Sequence, residues 1–379
     1  MAENILEIDD LRLNFYTYEG VVEALDGVNL RLKKGETLGV VGETGCGKSV
    51  TGLSVLVIVS PPGRIEGGKI LFNPKGKPVE LLALNEAFLR KVRGRYISMI
   101  FQDPRSALNP VYTAGEQIIE VLLHHKKEEL AERALNRIDD EIKSGKTGFL
   151  TNYYKRIFQH MIKNPKAPSL QLLSKIPIIR RYNRILKQEA KKEAVNILRI
   201  MRMPDPQRVV DMYPHELSGG MAQRVVIAMA LACSPGILIA DEPTTNLDVT
   251  VQLQILQLIK ELKEKFASSV IYITHDMGVV AEMCDRVAVM YAGSVIEIGE
   301  VLEIFKKPLH PYTQGLLESI PRPGFPFKSI EGTVPSLISP PKGCRFHNRC
   351  PYAMDICTKV KPEMVEAEKG HFVQCFLYR

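Results

Sequence analysis

The octapeptide GETGCGKS at residues 42–49 is the feature that most constrains how this chain can fold. It follows a short apolar run, Thr37–Val41, and leads into a segment of helical character that begins near Lys48. Its three glycines permit positive φ angles, so successive backbone N–H groups can point inward at phosphate oxygens. The start of the helix adds its dipole. This succession of strand, loop and helix predicts a P-loop in an α/β sheet, and it argues against the alternative of a random Gly-rich turn.

The last two residues of the octapeptide carry the chemistry expected of a nucleotide site. Lys48 can reach the β- and γ-phosphates, and the Ser49 hydroxyl can ligate Mg²⁺. We therefore predict that this loop binds a nucleotide together with Mg²⁺. The residues expected to contact the nucleotide are Gly42, Glu43, Thr44, Gly45, Cys46, Gly47, Lys48, Ser49 and Val50.

Two more apolar runs end in polar residues of catalytic type. In GILIADEPTTNLD, four apolar residues precede Asp241, which is placed to hold Mg²⁺, and Glu242, which could orient and polarise an attacking water. In SVIYITHD, His275 follows the apolar run. An acidic strand end without a role is the alternative, but the P-loop argues against it. Because ligands of open α/β sheets bind beyond the carboxyl ends of the strands, one crevice can collect these groups.

Two further segments lie between these motifs: FQDPRSALNPVY at 101–112 and YPHELSGGMAQRVVIAMAL at 213–231. With them the chain resembles the ATP-binding subunits of ABC transporters, and more closely those of the dipeptide/oligopeptide importer family. The resemblance runs from about residue 5 to the C-terminus, except for roughly 140–190. It implies an α/β fold with a P-loop NTPase core, an antiparallel β subdomain, a helical subdomain and a small cysteine-rich C-terminal extension.

The same resemblance implies a domain plan and a function. The nucleotide-binding domain is expected over 1–305, with a helical subdomain at about 103–225, and the C-terminal extension over 306–379. The implied function is ATP hydrolysis that powers import of di- or oligopeptides, with oligosaccharide or nickel uptake as alternatives. A soluble ABC ATPase acting on nucleic acid or ribosomes is the rival class. One P-loop, one signature and no sustained heptads oppose that rival.

Further site residues are implied by the resemblance. Two subunits of the family close head to tail on two ATP molecules, and the signature of one faces the phosphate loop of the other. Gln102 matches the Q-loop, which senses Mg²⁺ and the γ-phosphate, Asp248 matches the D-loop, and His275 matches the switch histidine. The signature itself is Leu217, Ser218, Gly219 and Gly220, although Ser218 also fits a plain helix N-cap.

These roles define the expected catalytic and metal-binding sets. Glu242, His275 and Gln102 are the expected catalytic residues. The expected ligands of Mg²⁺ are Ser49, Gln102 and Asp241. An aromatic residue some thirty positions before the P-loop lysine should stack on adenine; spacing favours Phe15, Tyr16 and Tyr18 are its neighbours, and core packing is the alternative.

The net charge of +7 is concentrated in one segment. Residues 142–192 contain thirteen Lys or Arg and a single acid, Glu189, so this segment carries +12 and the rest of the chain −5. The basic insertion at about 140–190 has helix-like spacing of apolar residues on either side of NPKAPS. Three interpretations stay open: a solvated basic helical pair, contact with anionic lipid or a permease's cytoplasmic surface, and, ranked last, nucleic acid.

Four of the seven cysteines lie in the last 36 residues, in the pattern C-x5-C-x6-C-x17-C. Zinc sites usually contain closely paired cysteines, whereas four thiolates with longer gaps can also hold an iron–sulfur cluster. Some members of the resembling family carry a four-iron four-sulfur cluster on this pattern, so the resemblance implies 4Fe-4S, with Zn²⁺ or unliganded thiols as alternatives. His347 and His371 are expected to be surface histidines. The expected ligands are Cys344, Cys350, Cys357 and Cys375.

The sequence also bears on location and partners. The N-terminus MAENILEIDD lacks a signal pattern, and the longest apolar run, at 53–59, is too short to span a bilayer. We therefore predict a cytosolic chain with reduced thiols. The resemblance implies a peripheral position on the cytoplasmic face of the membrane. It implies as partners a second ABC ATPase subunit, such as a paralogue in a heterodimer, two transmembrane permease subunits and an extracytoplasmic substrate-binding protein. No nucleic acid is expected.

Overall fold

The computed structural model describes residues 3–74, 76–145, 151–164, 181–245, 247–320 and 330–379. The chain divides into two units. The first comprises Met1–Gln102, Pro235–Thr245 and Leu256–Arg379, and the second Asp103–Ser234 and Asn246–Ile255. The boundary expected between residues 305 and 306, and the limits of the helical subdomain, stay predictions. Among the described residues, no helix combines the length and the apolar character needed to cross a membrane.

Among the residues that the structure describes, the strands all belong to the first unit, and the helices are shared between the two. In chain order the strands are β1 (Asn4–Thr17), β2 (Gly20–Lys33), β3 (Thr37–Val41), β4 (Gly63–Phe72), β5 (Val79–Glu80), β6 (Ile97–Ile100), β7 (Ile237–Asp241), β8 (Ser269–Thr274), β9 (Arg286–Tyr291), β10 (Ser294–Glu300), β11 (Val365–Glu368) and β12 (His371–Val373). The helices are α1 (Lys48–Val55), α2 (Glu86–Val92), α3 (Pro104–Ala107), α4 (Ala114–His125), α5 (Lys127–Lys143), α6 (Thr151–Lys163), α7 (Arg181–Ile200), α8 (Pro206–Val209), α9 (Gly219–Leu231), α10 (Val249–Phe266), α11 (Met277–Met283), α12 (Val301–Lys306), α13 (Pro311–Glu318) and α14 (Asp355–Lys359).

The larger sheet has the order β11-β12-β10-β9-β3-β8-β7-β6. Its strands from β9 to β6 are parallel, and four of them, β3, β6, β7 and β8, are buried along their whole length. Strands covered on both faces read as continuous apolar runs, which explains why the sequence revealed them. The register pairs Val41 with Thr274, so β3 and β8 end at the same level.

The smaller sheet is antiparallel, with the order β2-β1-β4-β5. Leu6 and Ile8 on β1 are fully or almost fully buried, and they share one core cluster with Val40 and Ile271 of the parallel sheet. Burying aliphatic side chains of this size contributes about 1.5–3 kcal/mol each. Both the parallel core and the antiparallel subdomain predicted from the sequence are therefore present in the first unit.

The C-terminal residues extend the larger sheet, which the sequence did not predict. Strand β12 pairs with β10 through Glu297–Val373 and Ile298–Phe372. His371 is only 2% exposed, and its Nε2 lies 2.8 Å from Oε1 of the fully buried Glu297. The expectation that His371 is a surface histidine is therefore wrong, because a buried carboxylate requires a partner and the imidazole supplies one. His347 is half-buried.

The second unit is helical, and the basic insertion contributes to it. Helices α6 and α7 form where the apolar spacing predicts them, while residues 165–180, including most of NPKAPS, lie outside the described part of the chain. Several charges of these helices are paired with α5: Lys155 with Asp139 at 2.6 Å, and Arg137 with Glu189 at 2.7 Å. One basic residue of the insertion, Lys155, is thus paired with an acid of a neighbouring helix.

Two glycines of β4 provide a test of the first unit's packing. A Cβ on Gly63 would lie 2.6 Å from Val59 Cγ1 and 2.7 Å from Phe15 Cε1, whereas a Cβ on Gly67 would meet nothing within 4 Å. We expect Gly63→Ala to destabilise the protein by about 1–3 kcal/mol because of overpacking. Gly67→Ala is the matched control, with a change within about 0.5 kcal/mol. Denaturant unfolding of both variants checks this, and equal midpoints would contradict it.

Candidate nucleotide site

The phosphate loop has the backbone that its glycine spacing predicts. Gly42, Gly45 and Gly47 have φ angles of 152°, 82° and 99°. A Cβ on Gly42 would lie 2.1 Å from the carbonyl oxygen of Met290, so no larger residue fits there. Gly47 caps α1 in the left-handed region. The loop therefore leads into a helix N-terminus, where backbone N–H groups and the helix dipole favour an anion.

Lys48 and Ser49 are placed by this loop and the neighbouring strand. The Lys48 ammonium donates to the carbonyl oxygens of Gly42 at 2.8 Å and Glu43 at 3.0 Å, inside the curve of the loop. The Ser49 hydroxyl donates to Asp241 Oδ1 at 3.0 Å. A hydroxyl and a carboxylate are ligands that Mg²⁺ accepts, so the two residues fit the metal predicted from the sequence.

Glu242 sits where three side chains converge. Its Oε2 accepts hydrogen bonds from Gln102 Nε2 at 2.8 Å and from the Thr245 hydroxyl at 3.0 Å. Its Oε1 lies 3.0 Å from His275 Nδ1. The backbone of Glu242 has φ 43°, an uncommon value for a residue with a side chain. Strain of this kind is often found at functional sites.

The surroundings of the two adjacent acids shift their pKa values in opposite directions. Burial raises the pKa of Asp241, and the charge of Glu242 adds to that effect, against the Ser49 hydrogen bond. Burial alone would also raise the pKa of Glu242, but the hydrogen bonds from His275 and Thr245 outweigh it and lower that pKa. Glu242 therefore stays charged at neutral pH, as a base that polarises water must.

The remaining predicted residues of this unit differ in exposure. Thr44 and Gly45 are exposed, Cys46 is buried, and Val50 packs against the core. Among the aromatic candidates, Phe15 is half-buried and packs on the core. The Tyr16 hydroxyl donates to Glu66 at 2.8 Å, and Tyr18 is 97% exposed. The choice of Phe15 for adenine stacking stays a prediction.

The signature residues lie in the second unit. Ser218 caps α9 by accepting the Met221 N–H at 3.3 Å, and Leu217 is buried. A Cβ on Gly220 would lie 2.8 Å from Val251 Cγ1, so a side chain there would displace α10. Asp248 caps α10 by accepting the Val251 N–H at 3.0 Å. Signature and D-loop residues are thus ordered by helix caps, and their contact with nucleotide stays a prediction.

The four C-terminal cysteines line one small cavity, together with apolar side chains such as Phe346 and Leu377. None of them is in a disulfide. Within the described residues, no group of three or more His, Cys, Asp or Glu side chains is arranged to hold a metal ion. The thiols therefore face a common space without forming a preorganised single-ion site.

Three residues near the site were missed in the sequence. Thr245 donates to Glu242, the Tyr312 hydroxyl accepts the Glu43 N–H at 2.9 Å, and Arg349 forms an ion pair with Glu43 at 2.7 Å. Thr245 lies in the segment that follows β7, so proximity to Glu242 was a usable signal. Tyr312 and Arg349 lie hundreds of residues away along the chain, and no local pattern connects them to the loop.

Comparison with known proteins agrees with this geometry. A family model described as ABC transporter matches residues 25–245, and one described as Oligopeptide/dipeptide transporter, C-terminal region, matches residues 296–357. The chain is 43% identical over 379 residues to the dipeptide transport ATP-binding protein DppD of Bacillus subtilis, covering 99% of this chain and 95% of that protein. It is 42% identical over 379 residues to the oligopeptide transport ATP-binding protein OppD of Salmonella typhimurium, covering 99% and 94%.

Solved structures show the same fold. The dimeric structure of MJ0796, a bacterial ABC transporter cassette, superposes with a TM-score of 0.55 at 24% identity, covering 78% of this chain and 98% of that one. The structure of cbiO1 from Clostridium perfringens gives 0.54 at 25% identity, covering 80% and 92%. Since the ABC transporter model matches more than half of the chain and the relatives cover nearly all of it, the chain belongs to the ATP-binding subunits of the dipeptide/oligopeptide ABC transporter family.

Proposed function

We propose that this chain hydrolyses ATP at the loop 42–49, with Glu242 as the base, to drive import of di- or oligopeptides. The ATP-binding motor role in such an importer follows from the family. The observation that carries the catalytic assignment is the position of Glu242, which is charged, directly after β7, and bonded to Gln102, Thr245 and His275. Oligosaccharide and nickel uptake are not favoured by any residue of the site.

The site's own residues divide the work of phosphoryl transfer. Lys48 and the loop N–H groups hold the β- and γ-phosphates. Ser49 and Asp241, with Gln102, would hold Mg²⁺, which neutralises charge on the phosphates. Glu242 orients the attacking water and accepts its proton, while His275 and Gln102 fix the Glu242 carboxylate. Catalysis rests on positioning and charge stabilisation, and no covalent intermediate is needed.

We further infer that turnover requires a second ATPase subunit. The signature 217–220 would contact the γ-phosphate bound by the partner, and the partner's signature would contact the phosphate held by this chain. The MJ0796 cassette, which shares the fold, is described as dimeric, and this supports the proposal. We propose that the partner is a paralogue and that the heterodimer docks on two permease subunits at the cytoplasmic face of the membrane. An external binding protein would supply the substrate.

A four-iron four-sulfur cluster on the C-terminal extension, residues 306–379, is also proposed. Its support is the convergence of four thiols on one cavity. The described residues contain no group of His, Cys, Asp or Glu side chains arranged to hold a metal ion, so the preference for the cluster over zinc rests on the family resemblance of the cysteine pattern. The ligands would be Cys344, Cys350, Cys357 and Cys375.

Replacement of Glu242 tests the catalytic assignment. Glu242→Gln removes the base but keeps a side chain of the same size, so we expect ATP turnover to fall by about 100-fold or more while ATP binding persists. Phosphate release by the transporter, purified through a tag on this chain, measures the loss. Glu282→Gln, an exposed acid on α11, is the control and should keep normal turnover. Wild-type turnover in Glu242→Gln would exclude Glu242 as the base.

The lowered pKa of Glu242 gives a second test. Activity that needs the charged carboxylate is present above this pKa and is lost as the pH falls through it. Thr245→Val removes one hydrogen bond to the charged form, so the pKa should rise. We therefore expect the acidic limb of the turnover profile to move to higher pH. An unshifted limb would show that the Thr245 hydroxyl does not stabilise the charged form.

The proposed cluster predicts how much iron and sulfide the purified protein contains. Purification without air should yield iron and acid-labile sulfide at about four each per chain. Cys357→Ser is expected to lose most of both, whereas Cys284→Ser, a thiol outside the extension, should retain them. Absorbance spectra and iron, sulfide and zinc analysis provide the measurement. Zinc alone, or no metal in the wild type, would refute the cluster.

A further inference from the structure

The C-terminal extension reaches into the phosphate loop through one arginine. Arg349, which immediately precedes Cys350, donates from Nη1 to Glu43 Oε2 at 2.7 Å and from Nη2 to Glu43 Oε1 at 3.1 Å. Its side chain is only 4% exposed. Two parallel charge-assisted hydrogen bonds of this kind fix both the distance and the orientation of the two groups. Glu43 is the second residue of the GETGCGKS loop.

Arg349 is itself held from every side. Its Nε donates to the Glu331 carbonyl at 2.9 Å, and its remaining two donors reach the Ile330 carbonyl and the Tyr291 hydroxyl, each at 3.3 Å. A guanidinium has five N–H donors, and all five are used here. The group also lies 5.8 Å from the ring centre of Tyr291 and 5.9 Å from that of Phe346. These contacts therefore hold the guanidinium in one position.

The backbone of Glu43 is held by the same region. Its N–H donates to the hydroxyl of Tyr312 at 2.9 Å. Tyr312 is fully buried and packs against Tyr291, and its own N–H donates to His310 Nδ1 at 3.0 Å. Burial lowers the pKa of His310 to about 4, so its imidazole is neutral and can accept that bond. Residues beyond position 305 thus fix both the main chain and the side chain of Glu43.

What Glu43 does within the loop makes this contact relevant to ATP. Its carbonyl oxygen accepts a hydrogen bond from the Lys48 ammonium at 3.0 Å, and the Gly42 carbonyl oxygen accepts another from the same ammonium at 2.8 Å. A shift of Glu43 would therefore move the lysine that meets the phosphates. Simple anchoring of the extension is the competing explanation, but an anchor has no need to grip the loop that binds the ligand.

We propose that Arg349 is a positioning residue for ATP: by holding Glu43 it sets the phosphate loop and Lys48, and it makes the cysteine-bearing segment part of the nucleotide site. This inference rests on the proposed binding of ATP at residues 42–49. It predicts that the extension contributes to affinity for ATP as well as to stability.

A double-mutant cycle tests the proposal on the full chain. Arg349→Gln and Glu43→Gln should each weaken MgATP binding about tenfold, because each removes the same pair of charge-assisted bonds. The double variant should be no weaker than either single one, since both changes break one interaction. The dissociation constant is measured by displacement of a fluorescent ATP analogue, and the unfolding midpoint is recorded in parallel.

Lys361→Gln is the matched control. Lys361 ties the same extension to Asp26 on β2, with Nζ 2.6 Å from the carboxylate. The Lys361→Gln variant should have a lower unfolding midpoint, while its affinity for MgATP stays within about twofold of wild type.

The outcomes separate cleanly. If Arg349→Gln and Glu43→Gln lower only the unfolding midpoint and leave the affinity for MgATP unchanged, Arg349 serves only to attach the extension. That result would overturn the inference. Additive losses in the double variant would also overturn it. If the wild type itself failed to bind MgATP, the proposed function would fall instead. Should Arg349→Gln not fold, Arg349→Lys takes its place in the cycle, because lysine keeps the charge but cannot form the two parallel hydrogen bonds to Glu43.

Discussion

The level register of three neighbouring parallel strands, β3, β8 and β7, is the constraint on which the site depends. Val41 pairs with Thr274, and Asp241 with Ile273, so β3, β7 and β8 end together. The chain leaves each of these strands at the same edge of the sheet, and a functional residue lies at or directly after the end of each strand. A one-residue slip in any pair would point alternate side chains to the other face, so the buried runs protect the site's geometry as well as the core's stability.

At that edge of the sheet two adjacent acids have different surroundings, which shift their pKa values in opposite directions. Asp241, still on the buried strand, has a raised pKa and sits beside Ser49. Glu242, one residue later, turns out of the strand at positive φ and gains donors that lower its pKa. Two carboxylates with different environments can take different roles, one toward a metal and one toward a proton. The uncommon backbone angle at Glu242 directs the second side chain to its own partners.

The sequence predicted those parts of the site whose signal is local. Loop glycines, buried strands and the polar residues that follow them are readable because spacing along the chain fixes their geometry. Thr245 was within reach of the same reasoning. Arg349 was not, because 306 residues separate it from Glu43 and only the folded chain brings them together. His371 was misjudged for the same reason: its buried partner Glu297 lies 74 residues earlier.

The cysteine-rich extension illustrates how a segment with little core of its own gains order. Strand β12 adds backbone hydrogen bonds to β10, and Phe346 packs into the aromatic cluster of Tyr291 and Tyr312. Strand β10 and Tyr291 both precede position 306, so the extension draws stability from residues outside it. Coupling of this kind is reciprocal in free energy. A segment stabilised by the phosphate loop through Arg349 must in turn stabilise one arrangement of that loop, and this ties the extension's integrity to nucleotide binding.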